Sequence, residues 1–401
     1  MGADRTQTEP DRAQTRRARV AVAALFLTNG AVFANILPRY PEIKSDLGLS
    51  NSAYGAAVAA FSVGALAAGL TAAALIRRYR SSRVAVVGTI GIGVFVLVAG
   101  VATSPAMLAG ALFVAGACDS VTDVAQNAHG LRVQRIYRRS IINSLHAVWA
   151  AGAILGGLMG GAAIALGISR AVHLGVAGAL CSAVVLVAYR HLLPGADDDG
   201  HPAAQESGRG RAGVAVYATL LALVVLAVAG ATVEDAGNTW AILYLRDSLD
   251  APAALAVSGY IAVVGSIFVG RLVGDRLVDR FGERAVVRAG GAVTALGMGL
   301  ALAFPSVPGT IAGFALAGLG VAVVIPSAMH AADQLPGLRP GSGLTILTWL
   351  MRIGFFGAPL LVGVIADAAG LRAGLLAVPA VGVVIVVLAG ALSARHRRVR
   401  S

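Results

Sequence analysis

Residues 270–284 read GRLVGDRLVDRFGER, a charged stretch set between two long apolar ones. The chain before it (APAALAVSGYIAVVGSIFV) and after it (AVVRAGGAVTALGMGLALAF) has the length and apolarity of a membrane-crossing helix, which needs about 20 such residues. Working outward in both directions, the same pattern recurs. Apolar stretches fall at 20–37, 52–76, 84–101, 106–131, 140–166, 171–189, 214–245, 253–273, 285–304, 308–331, 342–366 and 371–393, which predicts twelve transmembrane helices. The composition agrees: 57% of residues are hydrophobic and 13% charged, against about 25% charged in soluble domains, and the mean hydropathy is +0.78. The expected fold class is all-α integral membrane.

Arginine and lysine set the orientation. Of 32 basic residues, 26 fall in the amino-terminal segment, in alternate connections and at the carboxyl end; only Arg39, Lys44, Arg170, Arg246 and Arg372 lie in the connections between. Basic residues are retained on the cytoplasmic side, so both termini are expected there, in a multi-pass protein of a bacterial inner (cell) membrane. Lysine scarcity beside abundant Ala, Gly, Val and Arg suits a high-GC bacterial genome. The net charge of +12 is thereby explained without nucleic acid, for no basic stretch is interleaved with aromatics or carried on a separate domain. Cys118 and Cys181 lie inside apolar spans, so neither a disulfide framework nor a metal site is expected.

The longest hydrophilic interruption is 191–213, HLLPGADDDGHPAAQESGRGRAG, after the sixth span. Its Gly, Pro and Asp content predicts a flexible cytoplasmic linker; the ADDD within it could hold a cation or be solvated loop. The expected organisation is a tail at 1–19, a six-helix bundle at 20–190, the linker, a second six-helix bundle at 214–393 and a basic tail at 394–401. The two bundles repeat each other weakly. Span 5 contains WAAGAILGGLMGG and span 11 WLMRIGFFGAPLLVG, both a Trp followed by glycines at close helical spacing. Such residues let helices approach closely or bend.

Charged side chains inside a membrane are costly and tend to face a cavity or a partner. Asp119, Asp123 and Asn127 stand four apart in span 4 and form one polar stripe. Desolvation and a like charge one turn away both disfavour an ionised carboxylate, so at least one of these acids could exchange protons near neutral pH; a packing contact to Arg or backbone is the alternative. Glu234 and Asp235, near Asn238 and Trp240 in the outer part of span 7, could bind a cation or cationic substrate, or cap the cavity mouth. Arg352 is the basic residue placed mid-span, able to pair with an aspartate across the halves or to hold an anionic group. His146 in span 5 could relay protons or simply pack; His330 lies close to the inner surface. Asn29, Asn35 and Trp149 are placed to line a cavity.

The opening stretch also carries a family resemblance. Asp279, Arg280, Gly282 and Arg284 match the D-R-x-G-x-[RK] core of the loop signature of the major facilitator superfamily, with the opening glycine displaced by one, Gly274 standing beside Asp275. The resemblance implies a loop that clasps neighbouring helices on the cytoplasmic side and helps hold the outward-facing state, in a protein working as a monomer. An Asp near helix ends can accept from backbone amides while the arginines lie at lipid headgroups. The equivalent first-half segment, IRRYRSSR, lacks the acid and the glycine. The chain is further similar to the YbjJ-like branch, through Asp123 and Asn127 followed by SLHAVWAAGAILGG, Asn29-Gly30, WAILYLRD and GRLVGDRLVDRFG. The acid-x-x-x-Asn arrangement also resembles the fucose:proton symporters, which implies proton coupling at Asp123 with Asn127 beside the path.

The expected function is secondary active transport of a small organic solute by alternating access of two rocking halves, with protons as the coupling ion. No phosphate-binding loop of the G-x-x-x-x-G-K-[ST] type occurs, so nucleotide is not the expected energy source and no cofactor is implied. Span 5 GAILGGLMGG approximates a motif associated with antiporters in this superfamily, which favours export slightly, whereas the symporter resemblance favours uptake of a sugar-like solute. A non-transporting membrane sensor or scaffold is the reading from a different class. An enzyme is not expected: no Ser-His-Asp set at one depth or H-E-x-x-H cluster is present.

Overall fold

A computed structural model describes residues 12–137, 141–195, 213–338 and 342–392. The amino-terminal segment to residue 11, most of the proposed linker with its ADDD, Arg339 and the basic tail from residue 393 lie outside the described residues. The described residues form helices and turns, with no strand.

Twelve helices are long and apolar enough to cross a membrane: Gln14–Asp46, Asn51–Gly69, Ser81–Gly100, Pro105–Tyr137, Ser144–Ala165, Arg170–Tyr189, Val214–Asp247, Ala253–Phe281, Glu283–Ala303, Val307–Asp333, Ser342–Ala369 and Leu371–Ala391. They are called spans 1 to 12. Helices satisfy their own backbone polar groups where water is absent, which is why helix is the form these stretches take, with brief interruptions in spans 1, 10 and 12. The packing repeats. In the first half span 2 packs on 4, 3 on 4, 3 on 6 and 1 on 5; in the second, 8 packs on 10, 9 on 10, 9 on 12 and 7 on 11. Two six-helix bundles with one internal scheme are therefore present.

Close approach is set by small residues. Where spans 2 and 4 cross, a Cβ on Gly64 would strike the Phe113 carbonyl and one on Gly116 the Phe61 carbonyl. Each glycine removes a side chain at the point where the other helix presents backbone.

Some helix bounds differ from expectation for physical reasons. The helix of span 1 starts by Arg12, so part of the expected tail is helix. It runs to Ala34 and is followed by a 3-10 turn Leu37–Arg39 and a short helix Tyr40–Asp46. Span 2 ends at Gly69, and a separate helix Ala72–Tyr79 follows. At the break the Thr71 hydroxyl donates to the Ala68 carbonyl at 2.8 Å, competing with the helix ladder. Span 8 extends through Phe281, so the stretch taken as a loop signature is helical from Gly270 onward. Only Gly282, at φ 85°, turns the chain before span 9 starts at Glu283.

Spans 1 and 12 bring both described ends of the chain to the same face, termed the terminal end; the opposite face is the far end. Three of the five sparse basic residues of the far end are tied down. Arg39, almost fully buried, donates to Glu42 at 3.1 Å and to the Ile168 carbonyl at 2.7 Å. Arg170 pairs with Asp46, and Arg372 donates to the Leu302 and Ala303 carbonyls.

The halves meet through span 2 against 11 and span 5 against 8. The hydrogen bonds joining them run from the far end to about mid-depth. Asp367 accepts from the Asn51 and Ser52 amides at 2.7 and 2.9 Å. Tyr54 donates to the Thr239 carbonyl at 2.9 Å, Tyr260 to the Ala153 carbonyl at 3.3 Å and Ser62 to the Phe355 carbonyl at 3.3 Å. Among the described residues no hydrogen bond joins the halves near the terminal end. The far end is sealed, and the cleft between the halves opens toward the termini.

Candidate functional site

The polar stripe of span 4 sits within reach of the cleft and is more connected than its spacing indicates. Residues 119, 123 and 126 recur at helical spacing, so their side chains share a face. Asn29, buried in span 1, is the hub. Its amide nitrogen donates to Asp119 at 3.0 Å, and its amide oxygen accepts from Trp149 Nε1 at 2.8 Å and from Gln126 at 3.4 Å. Gln126 also donates to Asp123 at 3.3 Å. Asn127 donates to the Asp123 carboxylate at 3.0 Å and to its own-helix carbonyl at 2.8 Å. Asp119 and Asp123 are therefore linked through Asn29 and Gln126, and spans 1, 4 and 5 contribute to one network. Asp119 is half-buried while Asp123 is exposed to the cleft. His146, one turn before Trp149, is exposed and set edge-on against Phe26 at 5.3 Å. It is within electrostatic reach of Asp123 and of Arg271 from the other half.

Arg352 approaches this network from span 11. A Cβ built on Gly69 would stand 3.0 Å from the Ser120 hydroxyl and 3.5 Å from the Arg352 guanidinium, and Asp123 is within electrostatic reach of Arg352. Among the described residues Arg352 makes no ion pair or hydrogen bond. A cation held half-buried without a partner among the described residues, within reach of one carboxylate, is placed to receive an anionic group or to close on an acid.

Glu234 and Asp235 do not act as a pair. Consecutive helix residues point about 100° apart, and here Glu234 turns to Arg271, 2.8 Å away, while Asp235 is buried in the far-end seal. Trp240 is likewise fully buried there, edge-on to Tyr54 at 5.2 Å, rather than lining the open cleft. Asn35, also buried, accepts at 2.8 Å from His173 Nε2 of span 6 and braces the first half instead of lining a cavity.

The signature stretch clasps with one residue so far. Arg284 donates to the Leu392 and Gly390 carbonyls at 2.9 Å each, holding the end of span 12, while Arg280 stacks over Phe281. Asp275 and Asp279 are exposed and make no hydrogen bond or ion pair among the described residues. The expectation that they accept from backbone amides is not met in this conformation, since the helix continues past them and its amides are already bonded within the helix.

Sequence reading missed Gln126, which differs from Asn127 only by one step around the helix. It also missed the polar clasp of the first half, in which the buried His129 shares a hydrogen bond with Ser81 at 2.9 Å and accepts from the Leu193 amide at 3.2 Å. His129 lies six residues after Asp123 on the same helix, roughly 240° further round, so the stripe gave no signal for it. Among the described residues no group of three or more His, Cys, Asp or Glu side chains is arranged to hold a metal ion. What the cleft offers is a hydrogen-bonded carboxylate network, an unpaired guanidinium and an accessible imidazole.

Known proteins share this arrangement of helices. The chain is 29% identical over 360 residues to the uncharacterized transporter y4wD of Sinorhizobium fredii, covering 88% of this chain and 92% of that protein. It is 29% identical over 381 residues to the membrane protein MosC of Rhizobium meliloti, covering 94% and 90%. The crystal structure of the nucleoside transporter NupG superposes with a TM-score of 0.72 at 14% identity, over 94% of this chain and 98% of that one. At that identity the likeness is one of fold. The model of the Major Facilitator Superfamily matches residues 22–278 and 268–401, nearly the whole chain. Twelve spans in two repeated bundles around a polar cleft are thus the form of a secondary transporter rather than an enzyme, and the chain belongs to the major facilitator superfamily.

Proposed function

We propose that the protein moves a small organic solute by proton-coupled alternating access, with export slightly favoured over uptake. The observation that carries this reading is the Asn29–Asp119–Gln126–Asp123 network facing the cleft opposite Arg352. Binding or loss of a proton there changes the charge that Arg352 and the solute meet, and so biases one state of the halves over the other. With the termini in the cytoplasm of a bacterial inner membrane, as the arginine distribution supports, the described conformation faces inward. The boundaries expected for the two bundles and the linker, a monomeric state, and placement near the YbjJ-like and fucose-symporter branches belong to the same proposal. Asp119, Asp123 and His146 then handle the proton. Asn29, Asn127, Glu234 and Arg352 shape the cleft, and Asp275, Asp279, Arg280, Gly282 and Arg284 gate the terminal end, with the two aspartates engaging only when that end closes. Uptake of a sugar-like solute is the second reading, favoured by the acid-x-x-x-Asn pattern.

Metabolite levels inside cells and in the medium, compared for strains carrying wild type, Asp123→Asn or no protein, with and without a protonophore, test this. A compound enriched outside only with wild type and lost with protonophore fits proton-driven export; enrichment inside fits symport. A compound that moves equally with wild type and Asp123→Asn removes the proton role from Asp123. If no compound moves, the sensor or scaffold reading replaces transport.

A further inference from the structure

Asp235 is the acid that the cleft network does not use. It lies in span 7 on the face closed by the far-end seal, and it is only 8% exposed. Its Oδ1 accepts one hydrogen bond, from the Thr239 hydroxyl at 3.2 Å, and its buried Oδ2 has no partner. Two other buried polar atoms of the same seal, the Tyr40 hydroxyl and Trp240 Nε1, are also without partners. Around them Tyr54 packs edge-on against both Tyr40 and Trp240, at 5.7 and 5.2 Å, and donates to the Thr239 carbonyl. The seal is therefore aromatic, drawn from both halves, with a carboxyl group inside it.

Among the described residues no cation answers that carboxyl group: Arg39 is held by Glu42 and the Ile168 carbonyl, and Lys44 lies toward Asp247. Tyr40 and Tyr54 are the titratable groups that reach it from the first half. From the elements packed on span 7, Arg271 of span 8 is committed to Glu234 and Tyr260 to the Ala153 carbonyl. Asp367 of span 11 caps Asn51 and Ser52, and Arg352 lies toward Gly69. Arg372 of span 12 is held by the Leu302 and Ala303 carbonyls, and His330 of span 10 is at the terminal end beside Glu283. A buried carboxylate with one hydroxyl donor and no counter-charge is costly, whereas a neutral acid in the same place is both donor and acceptor. Opening the seal would return the group to water.

We propose that Asp235 is a second proton-binding site, accessible from the far end, whose occupancy permits the far end to close. A proton from far-side water joins the carboxylate oxygen while that end is open; the halves then close over the neutral acid. Since the closed seal separates Asp235 from the cleft, the proton leaves to the side from which it came. Asp235 thus senses pH on the far side and adds nothing to the number of protons carried across. The proposal rests on the alternating-access reading but not on the role of Asp123.

The test is the distance between spin labels at Leu166→Cys and Phe304→Cys, exposed at the far end on opposite halves, in the full chain with Cys118→Ala and Cys181→Ala, in lipid nanodiscs from pH 5 to 9. For wild type the ratio of open to sealed populations is expected to rise with pH, by up to about tenfold per unit as one proton is released. Asp235→Asn is expected to stay sealed throughout, Asp235→Glu to keep a pH response, and Asp123→Asn to keep the wild-type one. A wild-type distribution that does not change with pH overturns the proposal, whether or not the Asn variant folds. A response kept in Asp235→Asn but lost in Asp123→Asn also overturns it, while leaving the proton role proposed for the first-half network standing.

Discussion

The turn between spans 2 and 3 places Arg80 at φ 74°, ψ 145°, and the turn between spans 8 and 9 places Gly282 at φ 85°, ψ 151°. The backbone is the same at these equivalent points of the two halves, but the residues around it differ. In the first half Ser81 meets His129 of span 4, and His129 holds the Leu193 amide after span 6. In the second, Glu283 stands 3.9 Å from His330 of span 10, and Arg284 holds the Leu392 carbonyl after span 12. Each half thus fastens its last helix from this turn, once with a buried neutral group and once with an arginine. The same contrast holds inside the membrane. The first half carries acids joined in a network, and the second carries one buried acid alone and one acid paired to arginine. Helix packing repeats because close approach needs only small residues at the crossings; the polar chemistry is free to diverge.

The largest expected effect separates the network from the lone acid. Asn29→Ala removes hydrogen bonds to Asp119, Trp149 and Gln126 at once and leaves buried groups unsatisfied, at a cost of about 2–4 kcal/mol. Thr239→Val removes the one bond to Asp235 and leaves its Oδ1 without a partner, at a cost of about 1–2 kcal/mol. Thermal unfolding of the purified variants in detergent is expected to show the larger drop for Asn29→Ala. Equal drops would mean the first-half network is no more coupled than the single bond in the second.

Next come the two clasps. Arg284→Ala forfeits two charge-assisted hydrogen bonds and is expected to cost about 1.5–3 kcal/mol. His129→Ala strands the Leu193 amide in a buried place, at about 1–3 kcal/mol. Amide hydrogen exchange is expected to rise locally after span 12 in the first variant and after span 6 in the second. Exchange spreading through both halves from either change would show that the clasps are not independent.

Twelve spans and the sidedness of the arginines were legible because apolar length and charge position are one-dimensional properties, read without knowing what touches what. Asp119, Asp123 and Asn127 were legible as a stripe for the same reason. What joins the stripe was not: Asn29 and Trp149 reach it from spans 1 and 5, more than a hundred residues from each other, and Gln126 needed that geometry to be told from its neighbour. Glu234 and Asp235 misled because adjacency in sequence is divergence on a helix. Residues 270–284 misled in another way. Their charges suggested a loop, but arginines at a helix end can reach headgroups along their own stems, so the helix ran on.

Backbone strain gives a smaller comparison. Arg80 occupies a region of φ/ψ space that is essentially restricted to glycine, at a cost of about 1–3 kcal/mol. Arg80→Gly is expected to recover about 1 kcal/mol of that, and Gly282→Ala to lose about as much, so the two variants shift the unfolding midpoint in opposite directions. Shifts of the same sign would mean the side chain of Arg80 stabilises this turn by more than its backbone costs.

The smallest effect is expected at Glu283 and His330. The His330 side chain is 48% exposed and its contact to Glu283 is 3.9 Å, so the pair is screened by water and salt and contributes at most about 0.5 kcal/mol. Glu283→Gln keeps the shape and removes the charge, and its coupling to His330→Gln in a double-mutant cycle of unfolding midpoints is expected to stay within that amount. The position lies directly beneath Gly282, where the first half has Ser81 against a fully buried histidine. Ser81→Ala, which leaves His129 buried with one partner fewer, is therefore expected to cost more than that coupling although it removes no charge. The reverse order would mean that the Glu283–His330 contact, and not the buried contact of Ser81 to His129, is what holds the turn in its half.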